Sequence, residues 1–433
     1  MSKATIPTVE WEKRFRWIVI GIAVAIVISQ WVRIMRRPEG DFILHWDWAK
    51  RFVANEFLYA GGMNKPYSPF WAMAYSPLTL LPVHAAQMVA YPLGVVFMGG
   101  LLVVLRSLTR GTFTLDAKQN FWATVIAVTL ALRFLTRDLI DCGQNTAIVL
   151  LAWLGIWCWT RRRDLPGGVL LGFATALKWT PGLFIAYFAW KRQWKIVIIG
   201  LLSTALFTVA PALRQGPHFY MEHMRTWISG TWTGITESDP SRGVLGEDHF
   251  KNISLRPAMA RFLMRLPQGH AGRVEHPLYF DFFDFPPRVA GLVIKATLAA
   301  LLLCFAWLFR GKITSRNEVC VIWECACLSL LILLFSPITW RNHCVAVLPA
   351  CYLLSHLALE RRGLPRWINL LMAFYILAVP LLNRDLLGSK TSFLLDSYHI
   401  LTWAIIALLA ATAGGLSLAR VQREKLVISK RSG

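Results

Sequence analysis

Apolar residues arrive in long runs separated by short polar connections. The first run covers Phe15 to Val32, and others follow at roughly 76–105, 119–136, 145–160, 167–190, 194–213, 287–309, 319–338, 343–358, 367–383 and 398–419. A helix crosses the hydrocarbon core of a bilayer in about 20 residues, and these runs are close to that length. The pattern predicts an all-α polytopic membrane protein, one integral membrane domain over 1–433, with about ten full crossings. One run is interrupted. Between 167 and 190 the apolar sequence is broken by Lys178-Trp179-Thr180-Pro181, and basic clusters flank it, Arg161-Arg162-Arg163 before and Lys191-Arg192 with Lys195 after. Pro181 lacks a helical N–H donor and disfavours helix at the residue before it. This run is therefore expected to enter and leave on one side as a broken hairpin of two half-helices. Such breaks are tolerated where they line a cavity or are buried in protein.

Charge then orients the chain. The connections 106–118, 161–166, 191–195, 310–318 and 360–366, the N-terminus and the tail from Arg420 are each rich in Lys and Arg, which predicts that they are cytoplasmic. The other side receives 36–75, 137–144, 214–286, 339–342 and 384–397. The first run has basic residues on both sides and no small-residue cleavage site, so it reads as a retained span. The formal charge of +22 would suggest nucleic acid in a soluble chain. Here the cations sit where topology and membrane lipids require them, and no nucleic-acid partner is expected. The eight Cys show no paired spacing and read as small buried hydrophobes.

Two outer segments hold most of the remaining polar chemistry. The first outer loop, 36–75, begins just beyond a membrane exit. Trp46, Ala49 and Phe52 recur at helical spacing there, predicting an amphipathic interfacial helix that holds Asp41 and His45 near the apolar boundary. Asp41 would either meet a substrate with a lipid tail and a polar head or cap that helix. The large outer loop, 214–286, contains Asn252-Ile253-Ser254-Leu255 followed by a short predicted helix presenting Arg261. Further polar residues gather at the outer ends of spans: Asp138, Asp141, Gln144 and Asn145 in one connection, and Trp340, Arg341, Asn342 and His343 in another. Gln144 and Asn145 could simply cap a helix, and Trp340 could be an interfacial aromatic.

Lys178 is the strongest single signal. A Lys in mid-run costs several kcal/mol without a partner or a watery cavity, and it reads as a functional group or a structural ion-pair partner. Neutralising a phosphate that descends from the headgroup layer would suit it. The chain has no glycine-rich phosphate loop, no His-Glu-x-x-His, no Gly-x-Ser-x-Gly and no paired Cys ligands. An enzyme of this composition needs an acid and a substrate that already carries its leaving group. A transporter or flippase for an anionic lipid-linked substrate and a non-catalytic scaffold are the rival classes.

Several short motifs occur in order over residues 36 to 345. They are Asp41-Phe42, Tyr59, Pro66-Tyr67-Ser68-Pro69, Tyr75-Ser76-Pro77-Leu78, Gly143-Gln144-Asn145, Ala176-Leu177-Lys178-Trp179-Thr180-Pro181, Asn252-Ile253-Ser254-Leu255 with Arg261, and Ser336-Pro337-Ile338-Thr339-Trp340-Arg341-Asn342-His343. In this the chain resembles the family 87 glycosyltransferases of the GT-C superfamily, which include polyprenyl-phosphomannose-dependent mannosyltransferases. The resemblance implies a GT-C fold and a polyprenyl-phosphate-linked sugar donor, with mannose as the sugar. It also implies a lipid or envelope-glycan acceptor and inverting transfer on the periplasmic or exterior face of a bacterial inner membrane. Asp41 matches the family's catalytic Asp, with Asp47 as the fallback. Lys178 falls on its Lys-x-x-Pro, Gln144 on its Gly-Gln, Asn252 and Ser254 on its Asn-x-Ser, and His343 on its Trp-x-His region. Asn145 and His45 accompany them as substrate-binding candidates. Cys344 stands where the family often has a second His, and Ile253 where it has Gln. No cofactor is expected and no metal is required, because cationic side chains can serve a phosphate leaving group.

Overall fold

A computed structural model describes residues 8–37, 39–60, 67–316, 319–361 and 363–429. Pro66, part of one motif, lies outside the described residues. Among the described residues the fold is all-α apart from one hairpin of two-residue strands, Arg242–Gly243 paired with Gly246–Glu247. Among the described residues, six helices are long and apolar enough to cross a membrane: Glu12–Arg36, Val83–Leu108, Trp194–Gln215, Pro287–Leu308, His343–Glu360 and Ile400–Val421. A seventh results if Arg366–Leu381 and Arg384–Ser397, bent by 102°, count as one span. The chain is thus a multi-pass membrane protein.

The expectation of about ten crossings is corrected to these six or seven. The Ala117–Ile140 helix is long, but Lys118, Arg133, Arg137 and Asp138 break up its apolar sequence. Gln144–Thr160 and Val319–Phe335 have 17 residues each. At 1.5 Å per residue that is about 25 Å, short of a hydrocarbon core of about 30 Å. The interrupted run gives helices of only 14 and 9 residues, Asp164–Leu177 and Gly182–Trp190. Hydropathy overcounts here because it merges turn residues such as Ser336-Pro337-Ile338 with the helix before them, and because a helix enclosed by others is apolar on every side. Val319–Phe335 is such a helix, buried along nearly its whole length.

Two features position the polar ends of the helices. The chain breaks at 178–181, and Asp164 and Gln193, from the two flanks of the break, line one cavity at its far side. The Phe42–Val53 helix is more deeply packed than its spacing suggests: Phe42, His45, Trp48, Ala49 and Phe52 form its buried face. Trp48 and Phe52 join an aromatic core with Tyr59, Tyr67, Phe70 and Trp71. Trp46 faces protein as well, its indole N–H donating to the carbonyls of Leu78 and Leu81 at 3.3 and 3.2 Å.

Candidate active site

Asp41 occupies the N-cap position of the Phe42–Val53 helix, yet its side chain makes no capping hydrogen bond. Its contacts are with two other segments. The Asp41 backbone N–H donates to Asp141 Oδ1 at 2.7 Å. The Asn342 amide donates to both carboxylates, to Asp41 Oδ2 at 3.2 Å and Asp141 Oδ2 at 2.8 Å. Gly40 makes this approach possible: its φ is +82°, and a Cβ there would collide with Asp141 Oδ1. Gln87 fastens the same junction, donating to the carbonyls of Glu39 and Ile140 at 2.6 and 3.2 Å. Burial, and then the neighbouring Asp41 carboxylate, push the Asp141 carboxyl above the usual range.

Asp41, His45, Lys178 and His343 line one cavity of about 520 Å³. Its outer wall is apolar and includes Trp227 and Trp232 of the Pro217–Thr236 helix. Lys178 follows directly on the Asp164–Leu177 helix, where the chain turns extended, and its Nζ stands 5.8 Å from the centre of the Tyr67 ring. Among the described residues Lys178 has no ion-pair or hydrogen-bond partner. An ammonium without a partner beside a cavity can neutralise an anion.

The two histidines have defined tautomers. Trp71 Nε1, which only donates, bonds His45 Nδ1 at 2.9 Å, so the proton of the neutral ring is on Nε2. Burial, reinforced by the Lys178 ammonium, lowers the His45 imidazole to about 3. His45 is 1% exposed, and its Nε2 has no partner among the described residues. The Trp340 backbone N–H bonds His343 Nδ1 at 3.1 Å, which likewise places the neutral ring's proton on Nε2. Both rings can donate to an oxyanion. A smaller cavity of about 50 Å³ brings Asn145, Lys178 and His343 together.

A second large cavity, about 620 Å³ and almost wholly apolar, adjoins the first. It lies between the Gly182–Trp190, Pro287–Leu308 and Val319–Phe335 helices. Trp179, Thr180, Ser336 and Pro337 line both cavities.

The other candidates are placed elsewhere. Asp47 forms an i,i+4 ion pair with Arg51 at 3.1 Å, and its side chain is 45% exposed. Arg261 is buried away from this cavity: it donates to the Phe280 carbonyl at 2.7 Å and lies 3.7 Å from the Tyr279 ring centre, holding the 214–286 loop together. Asn252 fastens that loop to the cavity rim, donating to the Pro337 carbonyl at 3.1 Å and accepting from the Thr339 N–H at 2.9 Å. Gln144 accepts the Tyr75 hydroxyl at 2.9 Å. Asn145 donates to the buried Asp138 at 2.9 Å, a carboxylate that also receives the N–H groups of Asn145 and Thr146 at the start of their helix. The sequence reading assigned no role to Asp141 or Asn342. Gly40, immediately before the candidate acid, was the available signal of a close approach there.

The profile of glycosyltransferase family 87 matches residues 66–337. The chain belongs to that family. It is 26% identical over 371 residues to a polyprenol-phosphate-mannose-dependent alpha-(1-2)-phosphatidylinositol mannoside mannosyltransferase of Mycobacterium tuberculosis, covering 80% of this chain and 77% of the relative. The corresponding Mycolicibacterium smegmatis protein is 26% identical over 323 residues, 72% of this chain and 66% of the relative. An alpha-(1->3)-arabinofuranosyltransferase of Corynebacterium glutamicum is 24% identical over 252 residues, 54% of this chain and 58% of the relative. No solved structure matches significantly. Asp41 and His343 of this family 87 chain lie on either side of the matched stretch, yet they face the same cavity as Lys178 within it.

Proposed function

We propose that this membrane glycosyltransferase moves a sugar, mannose, from a polyprenyl-phosphate donor to a lipid or envelope-glycan acceptor on the non-cytoplasmic side. The supporting observation is that an acid and an unpaired ammonium share a cavity that continues into an apolar groove. A polyprenyl-phosphate sugar has the same layout, with an anionic head beside a hydrocarbon tail. The tail occupies the groove between helices, and the phosphate meets Lys178 and the imidazole N–H groups of His45 and His343.

Transfer is a single inverting displacement. The acceptor hydroxyl oxygen forms a bond to the anomeric carbon as the bond from that carbon to the phosphate oxygen breaks. Asp41 takes the hydroxyl proton, and polyprenyl phosphate leaves with the electron pair from the opposite face. The Asn342 amide and Asp141 fix the Asp41 carboxylate and backbone. Lys178 touches the phosphate before and during the transition state, so it contributes to binding as well as rate. The experiment is transfer from polyprenyl-phosphomannose by the purified chain, with donor binding measured in parallel. Lys178→Ala should weaken both; movement of a lipid-linked substrate across vesicles without any transfer would point to a transporter instead.

A further inference from the structure

The helices that build this site enclose a second, strongly polar cavity at their other ends. Gln144–Thr160 and Asp164–Leu177 reach the active site at Asn145 and Lys178 and the second cavity at Thr160 and Asp164. At 1.5 Å per residue the two sites are about 20–25 Å apart. The second cavity measures about 570 Å³, and its lining includes Arg162, Asp164, Lys195 and Arg316. Arg316 is held in place, donating to the two Asp164 oxygens at 2.6 and 3.2 Å and to the Trp159 carbonyl at 3.2 Å. Arg162 and Lys195 have no ion-pair partner among the described residues. Three cations against one acid leave two net positive charges.

The depth of this cavity is marked by aromatic residues. Exposed Trp194 opens the Trp194–Gln215 span beside Lys195, and exposed Trp190 ends the helix before it. Exposed Trp307, with the Arg310 guanidinium 4.0 Å from its ring centre, closes the Pro287–Leu308 span. The segment after that span is tied to the same end by Lys191 Nζ, which donates to the Gly311 carbonyl at 2.7 Å. Tryptophans at span ends sit at headgroup level. Below Lys195, the same helix carries exposed Ile198 and Leu202, three and seven residues on and therefore on one face.

We propose that this cavity binds the phosphate headgroup of an anionic phospholipid from the leaflet on that side. Arg162 and Lys195 take the phosphate oxygens, Arg316 and Asp164 form the fixed floor, and one acyl chain follows Ile198 and Leu202 into the bilayer. A soluble phosphate would use the two cations but not the apolar stripe, so the stripe favours the lipid source. The site is separate from the sugar-transfer reading and stands or falls without it.

Native mass spectrometry of the purified full chain provides the test, with phosphatidylglycerol, phosphatidylcholine and free glycerol 3-phosphate as probes. Phosphatidylglycerol should be retained over phosphatidylcholine, and retention should fall about tenfold to thirtyfold in Arg162→Gln/Lys195→Gln, at roughly 1 kcal/mol per cation. Arg110→Gln/Arg361→Gln removes the same charge from other exposed connections and should leave retention unchanged. Equal loss in that control would mean general charge attraction and would overturn the site. So would full retention in the Arg162/Lys195 variant, or glycerol 3-phosphate binding as tightly as the lipid.

Discussion

Asp41 and Asp141, one hundred residues apart in sequence, accept hydrogen bonds from the same Asn342 amide nitrogen, and the Asp41 backbone N–H also bonds Asp141. Asp141 is therefore a positioning residue for the proposed base. Asp141→Ala removes the acceptor of the Asp41 N–H and one of the two acceptors that fix the Asn342 amide, while leaving the cavity's phosphate ligands in place. Its kcat should fall about tenfold or more, with the donor KM changing by less than about twofold. Asp141→Asn, which still offers an oxygen to the Asp41 N–H, should recover part of the loss. A rise in KM with unchanged kcat would assign Asp141 to binding.

Asp41→Asn keeps the size of the side chain and removes the proton acceptor. Transfer should drop by about a hundredfold or more while donor binding survives. Asp47→Asn should remain near wild type, since Asp47 pairs with Arg51 at the surface. Steady-state transfer assays on the two variants decide between them, and the reverse ranking would move the base to Asp47.

His45 makes folding sensitive to acid. Its imidazole is lowered to about 3 in the folded chain, against about 6.5 when unfolded. The stability it contributes is complete above about pH 6.5 and is lost as pH falls toward its folded value. By about pH 5 the loss reaches about 2 kcal/mol, at 1.36 kcal/mol per pH unit. Thermal unfolding at about pH 7.5 and 5 should show a larger drop in Tm for wild type than for His45→Gln. Equal drops would remove His45 as a source of acid lability.

The apolar groove can be tested by filling it. Ala306 lines it, and Ala306→Trp should raise the KM for a long-chain polyprenyl donor about tenfold, a loss of about 1.4 kcal/mol in tail burial. A donor cut to one or two isoprene units should be unaffected. Equal effects on both donors would place the tail elsewhere.

The sequence made the membrane class legible, along with the break at Lys178–Pro181 and the gathering of polar residues at helix ends, because each is a local departure from an apolar background. The crossing count was not legible. Val319–Phe335 is as apolar as a true span but is enclosed by other helices, and hydropathy does not distinguish a protein environment from lipid. Arg261 was misleading for a related reason: an Arg in a polar loop looks available until the fold supplies the Phe280 carbonyl and the Tyr279 and Tyr398 rings. Asn342 acquires its role only where three distant segments meet, and no spacing within one segment encodes that.

Trp179, Thr180, Ser336 and Pro337 form a common rim between the cavity that Asp41 and Lys178 line and the apolar groove. A donor seated across that rim would never leave the plane of the membrane, since head and tail enter by sideways diffusion and the spent polyprenyl phosphate departs the same way. Its supply is then set by the number of donor molecules per unit area of bilayer. Diluting the membrane with inert lipid should slow the enzyme even when the amount of donor in the tube is unchanged, and adding buffer should not.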